Sequence, residues 1–246
     1  DRQAAADLAV LGLDDAPSRA MAAWRRSRPG RVVTISGAAP ADLWAEGVML
    51  RDADGPIADL AAAPGLPGTH NAQNAAAAAA LALFLGAPRA GLAGGFASFP
   101  GLPHRQALVA SLDGVRFIDD SKATNADAAA RALGCYDRLI WIAGGLAKAG
   151  GIADLAPFFP RIARALLIGR DAPALAATLA AAGVPHEIAG TLENAVPEAD
   201  AAARSLGAPV VLLSPACASF DQFTGFEARG RRFADLVHAL ARQEAV

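Results

Sequence analysis

Arg138 to Gly151 reads RLIWIAGGLAKAGG, a short, almost wholly apolar run followed by a glycine-rich turn that carries one lysine. So short and unbroken a run of Leu, Ile, Trp and Ala suits a strand covered on both faces, because a half-exposed strand would alternate with polar residues. Similar runs recur at Ala165 to Ile168 and Val210 to Leu213, with a shorter one at His186 to Ile188. Helical patterns fit between them at Asn125 to Leu133, Leu155 to Ala163, Ala174 to Ala182 and Glu193 to Leu206, and Phe226 to Arg242 forms a last helix. Upstream, Ala107 to Leu112 and Val115 to Ile118 flank Asp113-Gly114, a hairpin signal. Strand and helix in alternation predict an α/β fold with an open, mostly parallel, doubly wound, Rossmann-like sheet. Ligands in such sheets bind beyond the carboxyl ends of the strands.

Before residue 101 the pattern is less regular. Leu8 to Leu13 and Arg31 to Ser36 read as strands, with a helix between them opening at Asp14, Asp15 and Pro17 and running to about Arg28. Val48 to Ala53 suits a short strand turning at Asp54-Gly55, and a Pro/Gly loop spans Pro64 to Gly68. A helix then starts near Asn71, crosses an Ala-rich tract and stops at Gly86, with a further helix at Arg89 to Ala97. Pro100, Gly101 and Pro103 break the chain, so a boundary is expected between residues 1–101 and 102–246. The chain opens on Asp almost directly in a strand, which reads as a piece of a longer protein.

Composition excludes several classes of function. The formal charge of -2 gives no polybasic footprint, so neither nucleic acid nor an anionic membrane surface is an expected partner. The longest apolar stretch, Ala75 to Leu85, is shorter than the roughly 20 residues that span a bilayer. Two cysteines, Cys135 and Cys217, make neither a disulfide framework nor a tetrahedral metal site, and the cytoplasm is the expected compartment. Of the 22 basic residues only Lys122 and Lys148 are lysines, so both ask for a local reason.

Three segments that follow strands concentrate polar groups. Asp119 to Asn125 holds two carboxylates, Lys122, Ser121 and Thr124, with either Thr124 or Asn125 fit to cap the next helix. Gly144 to Gly151 lets backbone amides approach an anion, and Lys148 adds a full charge. Ser214 to Phe223 offers neutral hydroxyl donors, with Cys217 as a small buried residue rather than a nucleophile. Upstream, Asn71 and Asn74 are spaced to share a helix face, although Asn71 also suits a helix cap. Arg105, just beyond the boundary, is placed to clamp a phosphate.

Taken together, GTHNAQNA (68–75), GLPHR (101–105), DDSKATN (119–125), GGLAK (144–148) and LLSPACASFDQF (212–223) resemble the Mur ligase family of peptidoglycan synthesis, in the wording of its D-glutamate-adding branch. The resemblance runs from about residue 7 to the end. It implies an ATP-dependent amide ligase that phosphorylates the carboxylate of UDP-N-acetylmuramoyl-L-alanine and lets D-glutamate attack the acyl phosphate. Residues 1–101 would be the tail of the central ATPase domain and 102–246 the amino-acid-receiving C-terminal domain. By the same resemblance Asn71 and Asn74 would lie on the nucleotide, Asp120 on the ribose hydroxyls and Arg105 on the γ-phosphate. Thr124 and Lys148 would hold one glutamate carboxylate, with Lys122 adding charge, and Ser219, Phe220 and Phe226 would mark the stretch that holds the other. Arg105, Lys122 and Lys148 are thus the expected catalytic cations, and no general base is evident. The P-loop, the magnesium ligands and the carbamylated lysine of the family have no match here, and are expected upstream of residue 1; the chain alone is then expected to be inactive, and the complete enzyme a monomer. Alternatives are a folylpolyglutamate-synthase-like glutamate ligase and a non-catalytic module for acidic ligands.

Overall fold

The computed structural model describes residues 3–244, and its contacts divide the chain between Gly101 and Leu102. In the first unit, β1 (Leu8–Gly12), β2 (Arg31–Ser36), β3 (Leu43–Glu46), β4 (Met49–Asp52) and β5 (Gly55–Asp59) form one sheet in that order. The first three strands are parallel, and β3 to β5 form an antiparallel meander. β3 and β5 add to the sequence reading: β3 is only four residues long, and β5 carries Pro56 on the sheet edge, where a missing N–H is tolerated.

Helix α1 (Ala16–Arg26) is capped by Asp15, whose carboxylate accepts from the Ser18 amide. Helix α2 (Thr69–Phe84) starts two residues before the expected position, with Gly68 at the cap, so Asn71 is not the capping residue. Its alanines account for its packing: Ala72, Ala75, Ala76, Ala79 and Ala80 are buried with Ile35, Leu43, Leu50 and Ile57. Small side chains let the helix lie close on the sheet. The segment after Gly86 is a turn of 3-10 helix at Arg89–Gly91 and then α3 (Leu92–Ala97).

The second unit holds β6 (Ala107–Leu112), β7 (Val115–Asp119), β8 (Leu139–Gly144), β9 (Ile162–Ile168), β10 (His186–Gly190) and β11 (Val210–Leu213), in the spatial order β10-β9-β8-β11-β7-β6. All pairings are parallel except that of the edge strand β6 with β7. Their hairpin turns through Asp113 and Gly114, both at positive φ as a two-residue primed turn requires. Side chains alternate across the sheet. Leu139, Trp141 and Ala143 face a cluster with α4 (Ala126–Leu133), a 3-10 helix at Ala153–Arg161 and α5 (Ala172–Ala181). Ile140 and Ile142 face α6 (Leu192–Leu206) and α7 (Phe226–Glu244). This two-faced burial follows from crossovers that step outward from β7 to β10 and then return to insert β11 between β8 and β7.

The segment expected as a helix from Leu155 to Ala163 is instead the 3-10 helix, and β9 begins at Ile162. Pro157 and Pro160 remove the amides that an α-helix would need there. At α4 the choice of cap is resolved: Asn125 accepts from the Ala128 amide at 2.8 Å, leaving Thr124 uninvolved in capping.

Candidate functional site

Inserting β11 between β7 and β8 brings the three polar segments to neighbouring strand ends. The segment after β7 and the segment after β8 lead to one face of the sheet, while the segment after β11 leads to the other. Diverging loops of this kind open a crevice at the carboxyl edge.

Arg229, on the first turns of α7, fastens all three. It is 1% exposed. Its Nε donates to the Ser121 hydroxyl at 2.9 Å and one Nη donates to the Ser121 carbonyl at 2.8 Å. The other Nη reaches the carbonyls of Cys217, at 3.0 Å, and Gly144, at 3.4 Å. Burial lowers its pKa to about 10, so it stays charged at neutral pH. No carboxylate touches the guanidinium among the described residues; its direct partners are one hydroxyl and three carbonyls, with the Asp221 and Asp119 charges acting from farther off. Arg229 was not anticipated from sequence, because the Arg-Gly-Arg-Arg run looks like a solvated helix face. A signal was present in Gly230, a mid-helix glycine that must have a packing reason. A methyl group there would run into His104 Nδ1 and Asp119 Oδ2.

The β11 segment is itself tied across the sheet. Leu146 and Ala218 exchange both backbone hydrogen bonds, at 2.8 and 2.9 Å, as an isolated antiparallel bridge. Gly145 sits at φ 128° with the Ala218 carbonyl against its Cα, a conformation and an approach that exclude a side chain. Asp221 accepts from the Arg170 amide beyond β9 at 2.8 Å, and the Gln222 side chain donates to the Gly190 carbonyl at the end of β10 at 2.9 Å. Asp171 receives the Ala147 amide at 2.9 Å, and that hydrogen bond, with a second from Arg170, holds its carboxyl below the usual range.

Asp120 lies buried with Ser214 Oγ donating to Oδ2 at 2.7 Å and the Gln106 amide to Oδ1 at 3.3 Å. Burial outweighs these bonds and pushes its pKa up to about 7. Each oxygen retains a lone pair for a further donor. Lys122 is exposed, with Nζ 4.9 Å from the centre of the Phe226 ring, and Lys148 is exposed at the tip of its loop. Ser219 is buried beneath a turn in which its carbonyl accepts from Gln222 and Phe223, whereas Phe220 is 71% exposed. Thr124 and Phe226 are half-buried, and Arg105 is exposed. Lys122, Thr124, Lys148, Ser219, Phe220 and Phe226 therefore lie on segments that share one edge. Burial raises the Cys217 thiol to about 11, which suits an inert packing residue. In the first unit, Asn71 and Asn74 are side by side: the Asn74 amide donates to Asn71 Oδ1 at 3.0 Å, and the Asn71 amide donates to the Pro67 carbonyl at 2.6 Å.

An edge with two exposed lysines can receive a small molecule with more than one carboxylate. Comparison with known proteins narrows this. No family model matches the chain. UDP-N-acetylmuramoylalanine--D-glutamate ligases from Rhizobium etli, Chelativorans and Rhodopseudomonas palustris are 53%, 50% and 52% identical to it. The alignments cover 96%, 99% and 94% of this chain and 52%, 54% and 51% of those proteins, so the chain spans about half the length of the curated relatives it matches. Among solved structures, a UDP-N-acetylmuramate-alanine ligase from Thermotoga maritima matches with a TM-score of 0.60 at 16% identity, over 84% of this chain and 48% of that one, which shows a shared α/β fold. With half its residues identical along nearly all of its length, the chain belongs to the family of the UDP-N-acetylmuramoylalanine--D-glutamate ligases.

Proposed function

We propose that the chain is part of an ATP-dependent ligase that joins D-glutamate to UDP-N-acetylmuramoyl-L-alanine in peptidoglycan synthesis. The observation that carries this reading is the set of three strand-end segments gathered by Arg229, which carry the exposed lysines Lys122 and Lys148 in a family whose named members act on D-glutamate. Residues up to Gly101 would be the end of the nucleotide-binding domain, and those from Leu102 the domain that receives the amino acid.

In this reading Asn71 and Asn74 hold the nucleotide, Asp120 accepts from ribose hydroxyls and Arg105 meets the γ-phosphate. Lys148 and Thr124 orient one carboxylate of the amino acid, and the Ser219 to Phe226 segment holds the other. Lys122 keeps positive charge beside the Phe226 ring, where negative charge must be neutralised as the amine approaches an anionic acyl phosphate. Bound magnesium would offset phosphate charge during transfer. Among the described residues no cluster of three or more His, Cys, Asp or Glu is arranged to hold a metal ion, so its ligands would come from the rest of the longer protein.

The test is an assay of the full-length protein with ATP, magnesium and UDP-N-acetylmuramoyl-L-alanine. Phosphate release that depends on D-glutamate is the expected result. Release that depends instead on L-glutamate with a folate acceptor would overturn the substrate assignment.

A further inference from the structure

We propose that His104, oriented by Asp119, is the base that takes a proton from the ammonium group of the incoming amino acid. The inference rests on the ligase reading above and fills the role for which the sequence offered no residue.

The geometry is that of a fixed imidazole. His104 Nδ1 lies 2.6 Å from Asp119 Oδ2, and Asp119 Oδ1 receives the Ser121 amide at 2.9 Å, so both carboxylate oxygens are engaged. The two side chains are 13% and 5% exposed. The His104 ring meets the Phe226 ring edge-on at 6.0 Å, and the absence of a side chain at Gly230 makes room for the pair. With Nδ1–H donating to Asp119, the neutral ring carries its lone pair on Nε2. Nε2 has no protein partner among the described residues and is not among the polar atoms sealed from solvent without one.

Its surroundings give this pair a use. Lys122 donates its amide to the His104 carbonyl at 3.1 Å and spreads its ammonium over Phe226, so His104 shares a neighbourhood with two of the residues proposed for the amino acid. Arg105, proposed for the γ-phosphate, is the next residue. His104 and Gln106, on either side of it, adopt φ of 62° and 49°, a left-handed backbone that non-glycine residues rarely take. Strain of this kind, held by the packing around it, gathers where side-chain placement matters to function.

Nε2 takes one proton from the ammonium, and the freed nitrogen lone pair forms a C–N bond to the acyl carbon. The carbonyl π pair moves onto oxygen and returns as the C–O bond to phosphate breaks, with phosphate leaving on that bonding pair. A second N–H proton passes to the departing phosphate, and imidazolium returns its proton to solvent.

The full-length ligase tests this with two acceptors. D-Glutamate must lose a proton before it attacks, whereas hydroxylamine is uncharged at neutral pH and attacks an acyl phosphate without a base. His104→Gln and Asp119→Asn should lower D-glutamate ligation by about 100-fold or more, within the usual range for a lost general base, and leave hydroxamate formation within about threefold. His104→Gly, which suits the left-handed backbone and leaves a hole, should regain D-glutamate ligation when imidazole is added. Parallel loss with both acceptors in variants that melt like the parent, or an unchanged D-glutamate rate, or failure of imidazole to restore ligation, would overturn the assignment. A parent enzyme silent with both acceptors would instead remove the ligase reading on which it rests.

Discussion

Arg229 and Ser121 are 108 residues apart in sequence and joined twice, once through the serine hydroxyl and once through its carbonyl. The same guanidinium reaches Cys217 and Gly144, so one side chain closes the ends of β7, β8 and β11. Replacing it with Met would leave the Ser121 hydroxyl with only its bond to the Phe226 carbonyl and take a donor from the carbonyls of Ser121, Cys217 and Gly144. Arg229→Met is expected to lower stability by about 3 kcal/mol, measured by urea unfolding. Arg229→Lys keeps the charge but not the planar fork, and should recover only part of that loss. A shift below about 0.5 kcal/mol for Met, the size of an ordinary surface change, would show that the three segments hold together without the clamp.

Gly230 offers a contrast within helices. Alanine in a helix interior is normally favoured over glycine by about 1 kcal/mol. At Gly230 a methyl group would strike the His104–Asp119 pair, so Gly230→Ala should lower the melting temperature. Gly94 and Gly95 in α3 have nothing within 4 Å of an added methyl group, and alanine at either should raise it.

Asp120 makes stability depend on pH. Burial raises its folded pKa to about 7 from 3.8, so between those values the folded state holds a proton that the unfolded chain has released. Its contribution therefore becomes less favourable as pH rises from about 4 to 7, and is constant outside that window. The melting temperature of Asp120→Asn relative to the parent should climb across the same interval. A difference that stays flat from pH 4 to 8 would show that the carboxyl titrates normally.

Lys148 is exposed and joins no ion pair among the described residues, so its removal should leave folding unchanged within about 0.5 kcal/mol. In the full-length ligase Lys148→Ala is expected to raise the KM for D-glutamate about tenfold, the loss of one charged hydrogen bond, with little effect on that for ATP. Equal effects on both substrates would remove the carboxylate role.

How much was legible in sequence depended on whether a signal was local. The unbroken apolar runs marked β8, β9 and β11, and Asp113-Gly114 marked the hairpin, because burial on both faces and primed turns each leave a short pattern. β3 and β5 left none, since four or five residues at a meander edge need little apolar surface and β5 even accepts Pro56. The 3-10 helix was misread because the spacing of Leu155 and Phe159 looks helical while Pro157 and Pro160 forbid the α form. Polar segments after strands could be found one by one. What joins them could not, because Arg229, Asp221 and Gln222 act across distances in sequence that no local pattern spans.

The position of β11 sets the order in which this unit can be made. It is the last strand to leave the ribosome and yet lies inside the sheet, with β8 on one side and β7 on the other. Until Val210 to Leu213 emerge, the β6–β7 hairpin and the β8–β9–β10 layer are two pieces with no strand pairing between them among the described residues. Synthesis must therefore hold both pieces unjoined, with the facing edges of β7 and β8 unpaired, until the final segment slots between them. A nascent chain arrested before that point would be a client for chaperones rather than a shorter working domain.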